Sequence, residues 1–569
     1  MKNNEIQNSI MKQLFLLAII ALCCVVPAWA QPKAEVRAVW LTTNSNLDWP
    51  SKSTLSESQM KAELTDILDR LKEANFNTIL FQAQVKGDVA WESEIQPAMR
   101  ALTGNGANRM SWDVSKYVIE ECHKRGMECH AWIVPYRVGT ASEAAKYDNN
   151  PVKHVVKLHP ELCVLYNNAY YLDPGLPEVR SYLVELYREV VTNYDYDGYN
   201  FDYTRYPGSA FGDDESYAKY GGGMSLADWR RLNINTFVHE FYDMVKSIKP
   251  DVKVGAAPIG TYKNVNGTGN MSAYSDVYQD ACEWMQAGKH DLLVPQMYWN
   301  EKYGFSTHMT TWVENGAGRQ IVVGLAPYKM LDSTNNWEYT VVTDQIEKVR
   351  NKEGMSGVCF FRAMNILGTE TKVQQLYAAL RDDYFKYPAH IPAMDYNGIT
   401  KPNAPIGTHA SRDNGIYTLS WEKPALNEKD IKYYCVYASE SETVDIADIK
   451  NCVGFALTDT KWEYATDKEG LHFAVTAFDT NYYESDAAMA SVDGIDESLR
   501  FSIGVSNGAL NIVAVNDIAS VEVFDLAGRA SGRTKISGRG ATVENLAHAM
   551  YIVVATDCNG NIFSQKISI

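Results

Sequence analysis

The 569-residue sequence has no Cys-x-x-Cys pair, and neither its cysteines nor His123, His130, His154 and His159 fall at zinc-ligand spacings. No resident metal or cofactor is expected. No glycine-rich phosphate turn follows the first predicted strand, which argues against a doubly wound dinucleotide fold. Positive charge is scarce: 53 lysines and arginines face 70 aspartates and glutamates, a formal net charge of −17. Nucleic acid and anionic membranes are therefore poor partners, and a neutral or amphoteric polymer suits better. Long apolar runs are absent beyond Leu14–Val26, which is too short for a comfortable membrane span.

What is present begins with an address. Lys12, the apolar run and Ala28-Trp-Ala30 before Gln31 read as a signal peptide over residues 1–30, with Met11 as an alternative start. Leu22 before Cys23 argues against lipidation. Export is expected, to the periplasm, the cell surface or the medium. Of ten cysteines, removing Cys23 and Cys24 leaves eight, scattered mostly through apolar runs. Cys435 with Cys452 is the leading candidate for a disulfide.

From Glu35 to about Asp383, short apolar runs alternate with amphipathic segments. Strands are predicted at 36–42, 77–84, 127–136, 197–203, 252–258, 291–298, 320–325 and 357–361. Helices are predicted near 57–74, 112–125, 177–193, 226–248, 275–287, 306–315, 340–352 and 371–383. Eight β/α units in this length predict an α/β fold, a (β/α)8 TIM-type barrel over 35–390. Residues 384–404 carry Pro388, Pro392 and Pro402 and read as a linker with few contacts across it. Short strands then predict two small all-β sandwich domains, at 400–495 and 499–569.

The stretch Asp197 to Pro207 organises the rest. Tyr199 and Phe201 alternate with Asn200 and Asp202, and Asp202, Arg205 and Tyr206 arrive together before Pro207. Acid, guanidinium and phenol at the C-terminal end of a strand is where such a barrel keeps its chemistry. The plain alternative is that Asp202 caps a turn and pairs with Arg205. Other strand-end loops carry Asp88, Tyr136, Arg137, Asp173, Gln296, Tyr298 and Trp299. Asp173 before Pro-Gly has an Asx-turn as its own alternative. Trp299 has the core. Aromatics gathered at one end of several strands suit stacking on sugar rings.

Several motifs occur in register: Glu35-Val-Arg-Ala-Val-Trp-Leu-Thr-Thr43, Gly87-Asp88, Ala131-Trp132-Ile-Val-Pro135-Tyr-Arg137, Leu172-Asp173-Pro-Gly, Asp197-Gly to Pro207, Val294-Pro-Gln-Met-Tyr-Trp299 and Gly357-Val-Cys-Phe-Phe361. In these the barrel resembles the glycosyl hydrolase-like family 10 domain. The resemblance implies an exported glycoside hydrolase cleaving a polysaccharide, with cell-wall peptidoglycan glycan among the substrates. It implies catalytic candidates Asp202, Asp173 and Asp88, with Glu301 an unmatched outsider. It implies binding by Arg37, Gln82, Tyr136, Arg137, Arg205, Gln296, Tyr298 and Trp299, with Arg205 also expected to hold Asp202 ionised. Members often carry a second acid directly after the strand-four aspartate, where this chain has Tyr203. That departure keeps a non-catalytic glycan-binding surface protein open as the alternative. Residues 400–495 resemble a fibronectin type III sandwich. Residues 499–569 resemble a C-terminal sorting domain, which implies outer-membrane export machinery as a partner.

Overall fold

Eight parallel strands close into a barrel in the computed structural model: β1 (Val36–Leu41), β2 (Thr78–Val85), β3 (Glu128–Ile133), β4 (Gly198–Asp202), β5 (Lys253–Ala257), β6 (Leu292–Leu293), β7 (Gln320–Leu325) and β8 (Gly357–Phe360). The structure describes residues 31–104, 110–265, 270–394, 401–424, 431–492, 501–506, 509–514, 516–558 and 562–569. The expected signal peptide, 1–30, lies outside them. β8 returns to β1 through pairs from Val36↔Gly357 to Val39↔Phe360, and closes the ring. A helix follows each strand: α1 (Glu57–Glu73), α2 (Val114–Lys124), α3 (Pro177–Asn193), α4 (Leu226–Ile248), α5 (Ala281–Gln286), α6 (Phe305–Glu314), α7 (Tyr339–Arg350) and α8 (Thr371–Ala379). These fall where the sequence predicts them. The predicted strand 291–298 shortens to β6 because Pro295 has no N–H for the ladder.

Local rules explain the elements. α1 starts at a capping box in which Ser56 and Gln59 bond each other's backbone N–H, and it buries Met60, Leu64, Ile67, Leu68 and Leu71 along one stripe. Along β1, Val39 and Leu41 pack under the helices while Ala38 and Trp40 fill the barrel interior. Trp132, Leu80, Val294, Val322 and Cys359 complete that inner packing. The connection after β3 folds into a three-stranded sheet of Arg137–Gly139, Ala169–Leu172 and Cys163–Tyr166, which holds Arg137 above the barrel.

Beyond the barrel, one four-stranded sheet joins Lys461–Ala465, Ile416–Glu422, Ile406–Asp413 and Ser491–Val492. A second joins Cys452–Leu457, Ile431–Ser439, His472–Asp479 and Ala488–Met489. The C-terminal strands form a four-stranded and a three-stranded sheet around Leu510, Ile512, Val523, Val543 and Val553. Cys435 and Cys452, the disulfide candidates, are free thiols.

The expected linker is different from its reading. His390 is buried and stacks on Phe478 and Phe455 at 4.1 and 4.8 Å between centroids. Its ring nitrogens lie 3.2 and 3.3 Å from the hydroxyls of Tyr433 and Tyr437. At the base of β3, Glu128 accepts from Lys253 at 2.9 Å and from the Tyr482 hydroxyl of the sandwich at 2.6 Å. Asp197 faces His123 at 2.7 Å and Lys432 of the sandwich at 3.4 Å. The first sandwich is thus seated on the N-terminal end of the barrel, opposite the strand ends that carry Asp202. Proline marks the break in periodicity, but the aromatic partners that bury the linker are too distant in sequence to read from it.

Candidate active site

Tyr199 and Phe201 turn outward and pack on Phe241 of α4, with centroids 5.7 and 4.6 Å apart. Period two then sends Asn200 and Asp202 into the barrel. Asp202 ends β4, 5% exposed, and its Oδ1 accepts the Tyr203 N–H at 2.8 Å and the Gln296 Nε2–H at 2.9 Å. Gln296 is held by a second bond, to the Ala257 carbonyl at 3.1 Å. The Trp132 indole N–H lies beside the same carboxyl without reaching hydrogen-bond geometry. Burial pushes the Asp202 pKa up, and Arg205 only partly opposes it. Arg205 lowers the pKa as expected, but desolvation outweighs the guanidinium and the net shift is upward.

Tyr203, at the position of the missing second acid, adopts φ 52°, left-handed for a bulky residue, and is 47% exposed. Such backbone persists only where neighbours hold it. Here the Asp202 carboxylate takes its N–H, the Arg205 N–H bonds its carbonyl at 2.8 Å, and the Arg205 guanidinium lies 4.4 Å from its ring centroid. Arg205 Nη1 is buried without a partner, and the Arg137 side chain forms no ion pair or hydrogen bond among the described residues. The Asp202 charge, with burial, pushes the Tyr203 phenol pKa up, while Arg205 and Arg137 pull it down. The Arg205 guanidinium, beside Asp202, and that of Arg137 thus both act on one exposed phenol.

An aromatic floor lies beneath. Trp40, Trp132 and Phe361 meet with centroids 6.0–6.4 Å apart, and Tyr298 and Tyr328 pack on Phe361 at 5.7 and 6.1 Å. Gly324 makes room for this floor, since a Cβ there would lie 3.1 Å from Trp40 Cη2 and 2.9 Å from the Pro295 carbonyl. Trp299 stands half-buried between Gly260 and His308, with its indole N–H unpartnered.

The remaining candidates are committed elsewhere. Arg37 is fully buried at the N-terminal end of β1, bonded to Glu35 at 2.8 Å and the Tyr387 carbonyl at 2.6 Å and stacked on Phe385. It braces the barrel base and cannot meet a ligand at the strand ends. Tyr136 is 2% exposed and packs edge-on to Phe237, a core position. Gln82 spends its side-chain oxygen on Thr42 Oγ1 and the Thr43 and Asn44 N–H groups, shaping the loop after β1. Asp173 accepts the Gly175 N–H at 2.9 Å and the Ser216 hydroxyl at 2.6 Å, the Asx-turn alternative. Asp88 accepts the Tyr147 hydroxyl at 2.5 Å, and burial pushes its pKa to about 6. It lines a separate polar cavity of about 310 Å3 with Asn44, Arg100 and Lys146. Glu301 pairs with Lys348 at 2.8 Å. None of the three acids shares a bond with Asp202.

The barrel's motifs are matched as a set: residues 35–340 fit the family described as glycosyl hydrolase-like 10. The chain belongs to the glycosyl hydrolase-like 10 family. It is similar to glycosyl hydrolase YngK of Bacillus subtilis (strain 168), 30% identical over 463 residues that cover 77% of this chain and 89% of that relative. Glycosyl hydrolase DigH of Escherichia coli (strain K12) is 33% identical over 333 residues, 53% of this chain and 76% of DigH. Among solved structures, the PgaB (BpsB) glycoside hydrolase domain from Bordetella bronchiseptica aligns with 62% of this chain and 99% of its own, at 14% identity and a TM-score of 0.44.

In this glycosyl hydrolase-like 10 barrel, Trp40, Trp132, Tyr203, Tyr328 and Phe361 surround Asp202 in addition to the residues expected from the sequence. Trp40 and Trp132 were legible in principle, because alternation along β1 and β3 sends both to the same face. Tyr203 was visible only as a departure from the family pattern. Among the described residues no cluster of three or more His, Cys, Asp or Glu side chains is placed to hold a metal ion.

Proposed function

We propose that this chain is an exported glycoside hydrolase acting on a polysaccharide, with the glycan of cell-wall peptidoglycan as the best-fitting substrate. The observation that carries the reading is Asp202: a buried carboxyl with a raised pKa, held by Gln296 at the strand ends, near the half-buried rings of Phe361, Tyr298 and Tyr328. A carboxyl whose pKa is raised by burial holds its proton to higher pH than a free aspartate and can donate it to a glycosidic oxygen. Leaving-group departure then puts positive charge on the anomeric carbon, and a second group must meet it. Asp173, Asp88 and Glu301 are tied elsewhere, so the arrangement suits a nucleophile carried by the substrate, such as a 2-acetamido carbonyl. Arg137 and Arg205 favour a glycan with carboxylates, as muramic acid has on its lactyl ether. Tyr298 and Trp299 offer faces for stacking.

The same commitments favour one second reading, a non-catalytic glycan-binding surface protein. Release of reducing ends from purified peptidoglycan glycan, chitin and plant polysaccharides separates the two. Turnover on at least one supports the hydrolase; saturable binding with no turnover on any supports the binder. The proposed organisation is a signal peptide (1–30), the barrel (35–390), a fibronectin type III-like sandwich (400–495) and a sorting-domain-like tail (499–569). Outer-membrane export machinery would recognise that tail.

A further inference from the structure

A cavity of about 670 Å3 lies between the barrel base and the first sandwich, at the end remote from Asp202. That is within the range of small-molecule sites. Its apolar wall comes from Met127, Ala389, Ile391, Tyr433 and Phe455. Its charges are paired almost throughout. Lys124 bonds Glu121 at 2.5 Å, and Arg125 bonds Glu121 and Asp69 at 2.7 and 2.6 Å. His123 and Lys432 share Asp197, while Glu128 has Lys253, His130 and Tyr482. Lys72, at the end of α1, is the exception. Its Nζ has no hydrogen-bond or ion-pair partner among the described residues and stands 5.7 Å from the Phe455 ring centroid.

Burial presses the Lys72 pKa down, the response of a cation lacking a counter-charge. His390 cannot substitute for it, because burial drives that imidazole's pKa well below its ordinary value and leaves it neutral. An unpaired ammonium beside the half-buried Phe455 ring, with the buried Tyr433 in the same wall, specifies a ligand with one anionic oxygen group and one flat or ring-shaped body. We propose that this cavity binds a small ring-bearing carboxylate, its carboxylate paired with Lys72 and its ring against Phe455. A sugar acid and an aromatic acid share that chemistry. The site is independent of the hydrolase reading, and its test reads binding rather than turnover.

The whole chain is titrated calorimetrically with glucuronate, benzoate, glucose and inorganic phosphate. Saturable one-to-one binding of glucuronate or benzoate is expected, with glucose inert. Which acid binds tells the sugar source from the aromatic one. Lys72→Gln should weaken that binding roughly tenfold or more, and Lys52→Gln should leave it unchanged. Should Lys72→Gln fold poorly, acetylation of the wild-type chain with acetic anhydride, mapped by peptide mass spectrometry, decides the matter. The bound acid must then protect Lys72 and spare Lys52 from any change. Failure of both acids to bind at millimolar concentration, binding by phosphate alone, or equal labelling of Lys72 with and without the acid each overturns the proposal.

Discussion

Asp202 is held in conflict: burial favours the protonated acid, while the proposed reaction has a charge come and go at its carboxyl. The sign of the consequence follows from its raised pKa. An unfolded aspartate titrates near about 3.9, and the folded state keeps its proton to higher pH. The associated stability is full below the unfolded value and is lost as pH rises through the folded one. Asp202→Asn has no such loss, so at pH 7–8 its melting temperature should equal or exceed that of the wild type. Turnover should fall by roughly 10²-fold or more, because the proposed proton donor is gone. Calorimetry and reducing-end assays on one preparation check both, and wild-type turnover would remove Asp202 from the mechanism. Asp173→Ala should behave in the opposite way. It loses the Gly175 and Ser216 bonds, costing about 1–2 kcal/mol of stability, with turnover per folded molecule intact. A collapse of turnover at unchanged stability would return Asp173 to the chemistry. The contrast between the two shows how far a strand-end position can be read. Asp202, Gln296, Tyr298 and Trp299 were legible because β4 and the segment after β6 deliver them to one end. The Asx-turn of Asp173 was legible from Pro-Gly, but its partner Ser216 and the Asp88 partner Tyr147 lie 43 and 59 positions away. Arg37 finds its carbonyl 350 positions on, which no local pattern announces.

The elements were legible because their signal is local. Period two marks the strands, an apolar stripe marks the helices, and both survive whatever packs on them. What packs on them is settled by shape, and β7 illustrates the difference. Gly324 occupies an inward position in a strand of otherwise β-branched and large residues, where glycine weakens the strand unless something needs the space. Trp40 needs it. Gly324→Ala should put a methyl against Trp40 and the Pro295 carbonyl, costing about 1–3 kcal/mol by overpacking. Because Trp40 touches Trp132 and Phe361, the floor beneath Asp202 should shift as well, lowering turnover per folded molecule. Thermal unfolding and steady-state rates on the purified variant check this. An unchanged melting temperature would mean that the indole yields freely and that Gly324 is incidental.

At the scale of the whole molecule, the barrel has an end that carries Asp202 and a bracing end, and the first sandwich sits on the second. Its Tyr482 hydroxyl reaches Glu128, a carboxylate otherwise enclosed by Lys253 and His130. Burial opposes the Glu128 charge, yet Lys253 and His130 overcome it and hold the pKa well below the usual carboxylate range. A depressed pKa stabilises the fold above the unfolded value, about 4.3, and that contribution is lost as pH falls through the folded value. Glu128→Gln should therefore be costly at pH 7, where it leaves Lys253 buried without its counter-charge, by roughly 3–5 kcal/mol. The deficit against the wild type should shrink as pH is lowered, because acid removes the same charge from the wild type. Tyr482→Phe should cost less, about 1.5–3 kcal/mol, the worth of a hydrogen bond to a charged group. The two substitutions also report on the seat of the sandwich. If it braces the barrel, both should lower the unfolding temperature of the barrel itself, followed through activity as well as calorimetry. A Glu128→Gln deficit that stayed constant from neutral to acidic pH would show that the lost contacts are not those of a charge. A barrel transition unmoved by Tyr482→Phe would show that the sandwich rides on the base without supporting it.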